Sequence, residues 1–214
     1  MSAIIQKLNA LNKLDITLPI CNESLQINKI NLETQSKFEE FGRNTENELY
    51  TSSQYIQFIN NHIKKEVKRD LNYIDKLYVI QQWYNDIKKE DPIECELSTV
   101  EISDYNILIN DTDVVVKFEL PTLSKELAYL KYIITNKKTD MMSIDILFYF
   151  IFRFIKSITI EDDTVLAEDI DTSEQVYKLL SMTKVTSITE HIDSSFKAIE
   201  SVRNLEVDPR VFFA

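Results

Sequence analysis

The chain has 214 residues, 44% of them hydrophobic and 28% charged, which is the make-up of an ordinary globular protein with enough length for a real core. It holds a single glycine, Gly42, where average usage near ~7% would supply about fifteen. A dinucleotide fingerprint, a phosphate loop and a nucleophile elbow each need several glycines at fixed offsets, so those enzyme classes are excluded. The net charge of −11 repels phosphate backbones and argues against nucleic acid as the main partner.

The opening MSAIIQKLNALNKLDI carries Lys7 and Lys13 but no long apolar run, so it reads as mature cytosolic sequence and not as a signal peptide. Leu14, Ile16 and Leu18 alternate with polar residues. The alternation resumes at Leu25 and Ile27, which predicts a β-hairpin with Pro19 near its turn. Asn31 to Phe41 reads as a short helix carrying Phe38 and Phe41 and stopped around Gly42. A second helix is expected from Glu46 or Ser52 to Lys68. Its stripe is Ile56, Ile59, Ile63 and Val67, and its outer face bears Lys64, Lys65, Lys68 and Arg69. A third spans Tyr73 to Lys88, with Leu77, Ile80, Tyr84 and Ile87 on one face and Trp83 beside them.

Asp91-Pro92 breaks the helical pattern. Leu97 to Ile102, Tyr105 to Ile109 and Val114 to Leu120 read as extended, with 110–113 as the turn of a second hairpin. After Pro121, Thr122 or Ser124 is expected to cap a helix that turns Leu123, Leu127, Leu130 and Ile134 inward.

The most apolar window follows, SIDILFYFIFRFIKSITI over Ser143 to Ile160. It is cut by Arg153 and Lys156 and opens with Asp145, so it falls short of the ~20 apolar residues a membrane span needs. It is read as a buried helix to about Ser157 followed by a short extended Ile158-Thr159-Ile160. An acidic loop from Glu161 to Asp171 comes next, then helices carrying Val176, Leu179 and Leu180, and Val185, Ile188, Ile192, Phe196 and Ile199. The fold class is therefore α+β: mostly helical, with two small antiparallel β-hairpins packed around a buried central helix. It divides either at residues 1–90 and 91–214 or not at all.

No constellation carries chemistry. Cys21 and Cys95 lie far apart and read as inert thiols of a reducing compartment. His62 and His191 lack metal-ligand spacing and read as surface histidines. The carboxylates Glu161, Asp162, Asp163, Glu168, Asp169 and Asp171 lack the spacing of a calcium loop and read as a solvated loop. No catalytic residue, cofactor or metal is assigned. Two features point to partners. Phe212 and Phe213 close a polar terminus and must tuck back or insert into another protein. Val114 and Val116, on a hairpin edge, could accept an added strand.

The order of elements resembles the baseplate hub assembly family of contractile-tailed phages of the T-even type. The likeness rests on LDITLPICNESLQINKINLETQSKFEEF, on Tyr73-Ile74-Asp75-Lys76-Leu77 opening a helix, and on Phe154-Ile155-Lys156-Ser157-Ile158 followed by the acidic loop. The helices from Glu174 to Ile199 and the terminal Phe-Phe add to it. Some members carry paired cysteines near the middle strands. Only Cys95 stands here, so no zinc site is inferred. The resemblance implies a non-enzymatic structural or assembly protein of the tail baseplate hub. Other hub proteins, or further copies of itself, would be its partners, with no small-molecule substrate, nucleic acid or membrane. It would act in the host cytoplasm during assembly or in the virion tail. A cytosolic protein-binding adaptor outside the virion and a metal-dependent hydrolase using Glu161 to Asp171 are the alternatives.

Overall fold

A computed structural model of the chain describes residues 3–34, 36–37, 48–89, 102–109, 111–136, 141–167, 190–192 and 194. The fold is α+β with helices predominating and antiparallel sheets, as the sequence predicts. Helix α1 (Ala3–Leu11) leads into the first hairpin, β1 (Lys13–Thr17) and β2 (Ser24–Asn28), with Leu14 opposite Ile27 and Ile16 opposite Leu25. Helices α2 (Glu48–Val67) and α3 (Tyr73–Lys88) follow. Strands β3 (Tyr105–Ile109) and β4 (Thr112–Phe118) then precede α4 (Leu123–Asn136), α5 (Ser143–Phe152), β5 (Ile155–Ile160) and β6 (Asp163–Leu166).

The second hairpin grows into a four-stranded sheet of order β3-β4-β5-β6, antiparallel throughout. This overturns two expectations. The apolar window does not stay helical to Ser157: α5 ends at Phe152, Arg153 and Phe154 turn the chain, and β5 takes up the rest. Its β-branched Ile155, Ile158, Thr159 and Ile160 suit a strand paired on both sides. The acidic loop, too, is partly strand, since Asp163 to Leu166 pairs with β5 across the turn at Glu161-Asp162. In β3–β4 the ladder closes with Ile109 opposite Thr112. The turn is thus tighter than 110–113, with Asp111 in the left-handed region at φ 64°.

Two apolar clusters form the interior. One joins Tyr73, Ile74 and Leu77 of α3 to the sheet, to Leu130 and Ile133 of α4 and to Ile151 and Phe152 of α5. The other joins the first hairpin (Ile16, Leu18, Ile27) and the α2 stripe (Ile59, Ile63, Val67) to Val79, Ile80 and Trp83. Helix α3 serves both, which is why most of its residues are buried. Residues either side of position 90 share both clusters.

Helix α3 starts where Asn72 accepts a hydrogen bond from the Asp75 backbone N–H at 2.9 Å, and it stops at Lys89 in the left-handed conformation. The Trp83 indole N–H donates to the Asn28 carbonyl at 2.9 Å and pins β2 to α3. The predicted helix over 31–41 is helical at 32–34 and 36–37, while Phe38, Phe41 and Gly42 lie outside the described residues. So do Leu97 to Glu101, the helix from Asp171 and nearly all of the last helix. Of that last helix, Ile192 is seen buried against the sheet cluster. Among the described residues no helix is long and apolar enough to cross a membrane.

The contrast between core and rim is testable by chemical denaturation. Ile63→Ala, at a fully buried site, is expected to cost about 2–5 kcal/mol. Ile4→Ala, on the exposed α1, should stay within about 0.5 kcal/mol of wild type.

Candidate functional site

The chemically richest place is inside the protein. Residues 70–72 and 121–124 run side by side: Leu123 N–H donates to the Leu71 carbonyl at 2.8 Å, and Ser124 N–H to Asp70 Oδ1 at 2.7 Å. This strap starts α3 and α4 next to each other. Lys76 and Glu126, each the fourth residue of its helix, therefore face one another. Glu126 is 0% exposed, Lys76 4% and Arg153, from the turn after α5, 5%.

The Glu126 carboxylate accepts from Lys76 Nζ on Oε2 and from Arg153 Nη1 on Oε1 at 2.7 Å, with the Asn60 amide 3.5 Å from Oε2. The Arg153 guanidinium also lies over the Tyr73 ring at 4.7 Å and the Phe154 ring at 4.8 Å, and Lys76 Nζ lies 4.9 Å from the Tyr73 centroid. Together the three groups hold two positive charges and one negative. The pKa of the Lys76 ammonium is lowered to about 8, chiefly by burial, with Glu126 opposing the fall and Arg153 adding to it.

No catalytic role follows from this arrangement. A general acid or base must reach the proton it moves. All three side chains are enclosed and already engaged with one another. They act as a knot between α3, α4 and the α5–β5 turn.

The sequence did not flag these residues, yet a signal was present. Tyr73, Lys76, Ile80 and Trp83 form one helical stripe, and Leu123, Glu126, Leu130 and Ile133 form another, each with a single charge set among apolar neighbours. The predicted inward face of α4 is rotated accordingly, with Leu127 and Ile134 only partly buried. Arg153, flanked by Phe152 and Phe154, is core and not an interruption of it. Asp75 is a second buried carboxyl, accepting from the Ile20 N–H at 2.9 Å and the Asn72 amide at 2.9 Å, so it ties the first hairpin to α3.

The residues singled out in the sequence fall elsewhere. Val114 and Val116 are buried, and β4 is flanked by β3 on one side and β5 on the other, so no edge is open there and neither residue can accept an added strand. Phe212, Phe213 and Cys95 lie outside the described residues. Cys21 is a free thiol whose pKa burial raises, with Asp75 adding to the effect.

Both histidines are partly buried. His62 is half-buried with its ring 5.2 Å from Trp83, and burial lowers its pKa below the usual histidine value. The His191 ring lies 4.9 Å from that of Tyr105, tilted by 46°, and its Nε2 donates to the Ser103 carbonyl at 2.7 Å. Among the described residues no three His, Cys, Asp or Glu side chains are placed to hold a metal ion.

Several large apolar side chains are exposed. On α1, Ile4 is 71% exposed, Leu8 58% and Leu11 74%, at i, i+4 and i+7 on one face. At the far edge of the sheet, Ile160 and Val165 are also exposed. Comparison with family models, with curated proteins and with solved structures finds no match.

Two outcomes test the interior account. Glu126→Gln leaves two buried cations without their carboxylate and should cost about 3–5 kcal/mol, whereas the triple change Lys76→Met, Glu126→Leu, Arg153→Met should be neutral or stabilising in the same denaturation assay. The second is pH dependence. In the unfolded chain Lys76 keeps its proton to about 10.5, and in the fold it releases it near 8. Between those values the unfolded state binds the extra proton, so stability rises with pH. From pH 7.5 to 9.5 the gain should be on the order of 2 kcal/mol, and Lys76→Met should lack it.

Proposed function

We propose that this chain is a non-enzymatic structural or assembly protein of a phage tail baseplate hub, working through contacts with other hub proteins. The hub assignment comes from the resemblance carried by the amino-terminal hairpin segment, Tyr73 to Leu77 and Phe154 to Ile158. Its place of action is then the host cytoplasm during assembly, and the tail itself where the protein is retained.

One observation carries the contact-based reading: the apolar face of α1. A helix of nine residues is marginal in water unless its apolar side is covered. Every α1 side chain the structure describes is exposed. A stripe of Ile4, Leu8 and Leu11 held out in this way is what helix-in-groove recognition uses. The buried ionic knot is committed to the framework and is not itself a contact surface. Phe212 and Phe213 remain further partner contacts within this proposal.

Mass spectrometry of purified tails and of hub intermediates is the direct test. Peptides of this chain are expected in one or the other. Absence from both contradicts the hub reading and leaves an adaptor outside the virion. The double variant Ile4→Glu, Leu11→Glu should fold normally by circular dichroism and lose at least about tenfold in recovery with the hub, a penalty of ~1.4 kcal/mol or more.

A further inference from the structure

The strands of the sheet place Tyr105, Val116, Ile158 and Val165 in one row and Ile107, Val114, Ile160 and Asp163 in the next, all on the core-facing side. In the middle of those rows Val114, Val116 and Ile158 are buried. Towards β6 the cover stops: Ile160 is 43% exposed and Val165 47%. Asp163 sits across from Ile160, and Glu161 and Asp162 form the adjoining turn, so this small apolar patch has an acidic rim.

The α1 stripe is its complement. Lys7 lies between Ile4 and Leu11 on the same helical face, and residues 1–14 contain two lysines and no carboxylate in a chain of net charge −11. The lengths agree as well. Nine helical residues span about 13 Å and four strand residues about 13 Å. Both patches are exposed in the single chain, one basic and one acidic.

We propose that α1 of one copy docks on the β5–β6 hairpin of a second copy, so that the chain associates head to tail. The proposal takes from the preceding section that α1 is a docking helix and goes beyond it in naming the partner. The two surfaces differ, so the contact is heterologous: each added copy spends one of its two surfaces and leaves the other free, which leads to a ring or an open string. Five or six side chains cover far less than the ~800 Å² per partner of a stable interface. The contact is therefore weak in solution, with a dissociation constant of roughly tens to hundreds of micromolar, and it gains strength where copies are held side by side.

Analytical ultracentrifugation of the purified full chain, from about 1 µM to about 1 mM, tests this. Wild type is expected to associate with rising concentration. Leu8→Glu and Val165→Asp, both at exposed sites, should each be monomeric while keeping the wild-type circular dichroism spectrum. An equimolar mixture of the two should form a heterodimer that goes no further, because only the intact α1 of the Val165 variant and the intact hairpin of the Leu8 variant can pair. Monomeric wild type, association that persists in either variant, or a mixture that stays monomeric would each overturn the proposal. A monomeric chain that is nonetheless found in tails would remove the self-contact and leave the assembly reading standing.

Discussion

The Glu126 carboxylate, buried between Lys76 and Arg153, is the constraint on which the rest of the molecule turns. Removing three charges from water is costly, and their mutual attraction repays that cost only when the geometry is held. Here it is held by the strap of residues 70–72 against 121–124, which begins α3 and α4 side by side, and by the tight turn that delivers Arg153 after α5. The knot adds little net stability over an apolar packing of equal volume. It joins the first turn of α3 to the first turn of α4 and to the turn after α5. The same turn aims β5 into the gap between β4 and β6 and so completes the sheet.

With the interior fixed in this way, part of the apolar surface that stays uncovered lies on α1 and at the β6 edge, and Leu32, Leu108 and Met142 are exposed elsewhere. Helix α1 lies outside both cores, and the β6 edge runs past the limit of the sheet's packed face. Lys76, Glu126 and Arg153 are committed to the framework, while α1 and the β5–β6 hairpin keep apolar side chains exposed. The α1 face carries Lys7 and the β5–β6 turn carries Glu161, Asp162 and Asp163, so the two patches differ in charge.

Much of the fold was legible because it is local. The bounds of α3 match Tyr73 to Lys88, since Asn72 caps one end and the apolar spacing runs unbroken to the other. Both hairpins follow from alternation and short turns. What failed is what sequence spacing cannot carry. Val114 to Val116 reads as an edge only until β5, some forty residues on, pairs with it. Lys76, Glu126 and Arg153 were passed over because each charge taken singly is expected at the surface, and only their meeting makes burial tolerable. The stretch from Ser143 to Ile160 is so uniformly apolar that periodicity cannot separate helix from strand. The change falls at Arg153, whose guanidinium pairs with Glu126 in the core. Helix α1 escaped notice because the spacing of Ile4, Leu8 and Leu11 runs for only nine residues, too short a stretch for periodicity to mark.

The account stands on function residing in the rim and not in the interior. Amide hydrogen exchange, compared between the isolated chain and the chain within the assembly it is recovered with, measures this directly. New protection is predicted in α1 and across β5–β6, with exchange at the start of α3 and α4 unchanged. Protection that instead appears around Lys76, Glu126 and Arg153, with α1 as open to exchange in the assembly as it is alone, would contradict it.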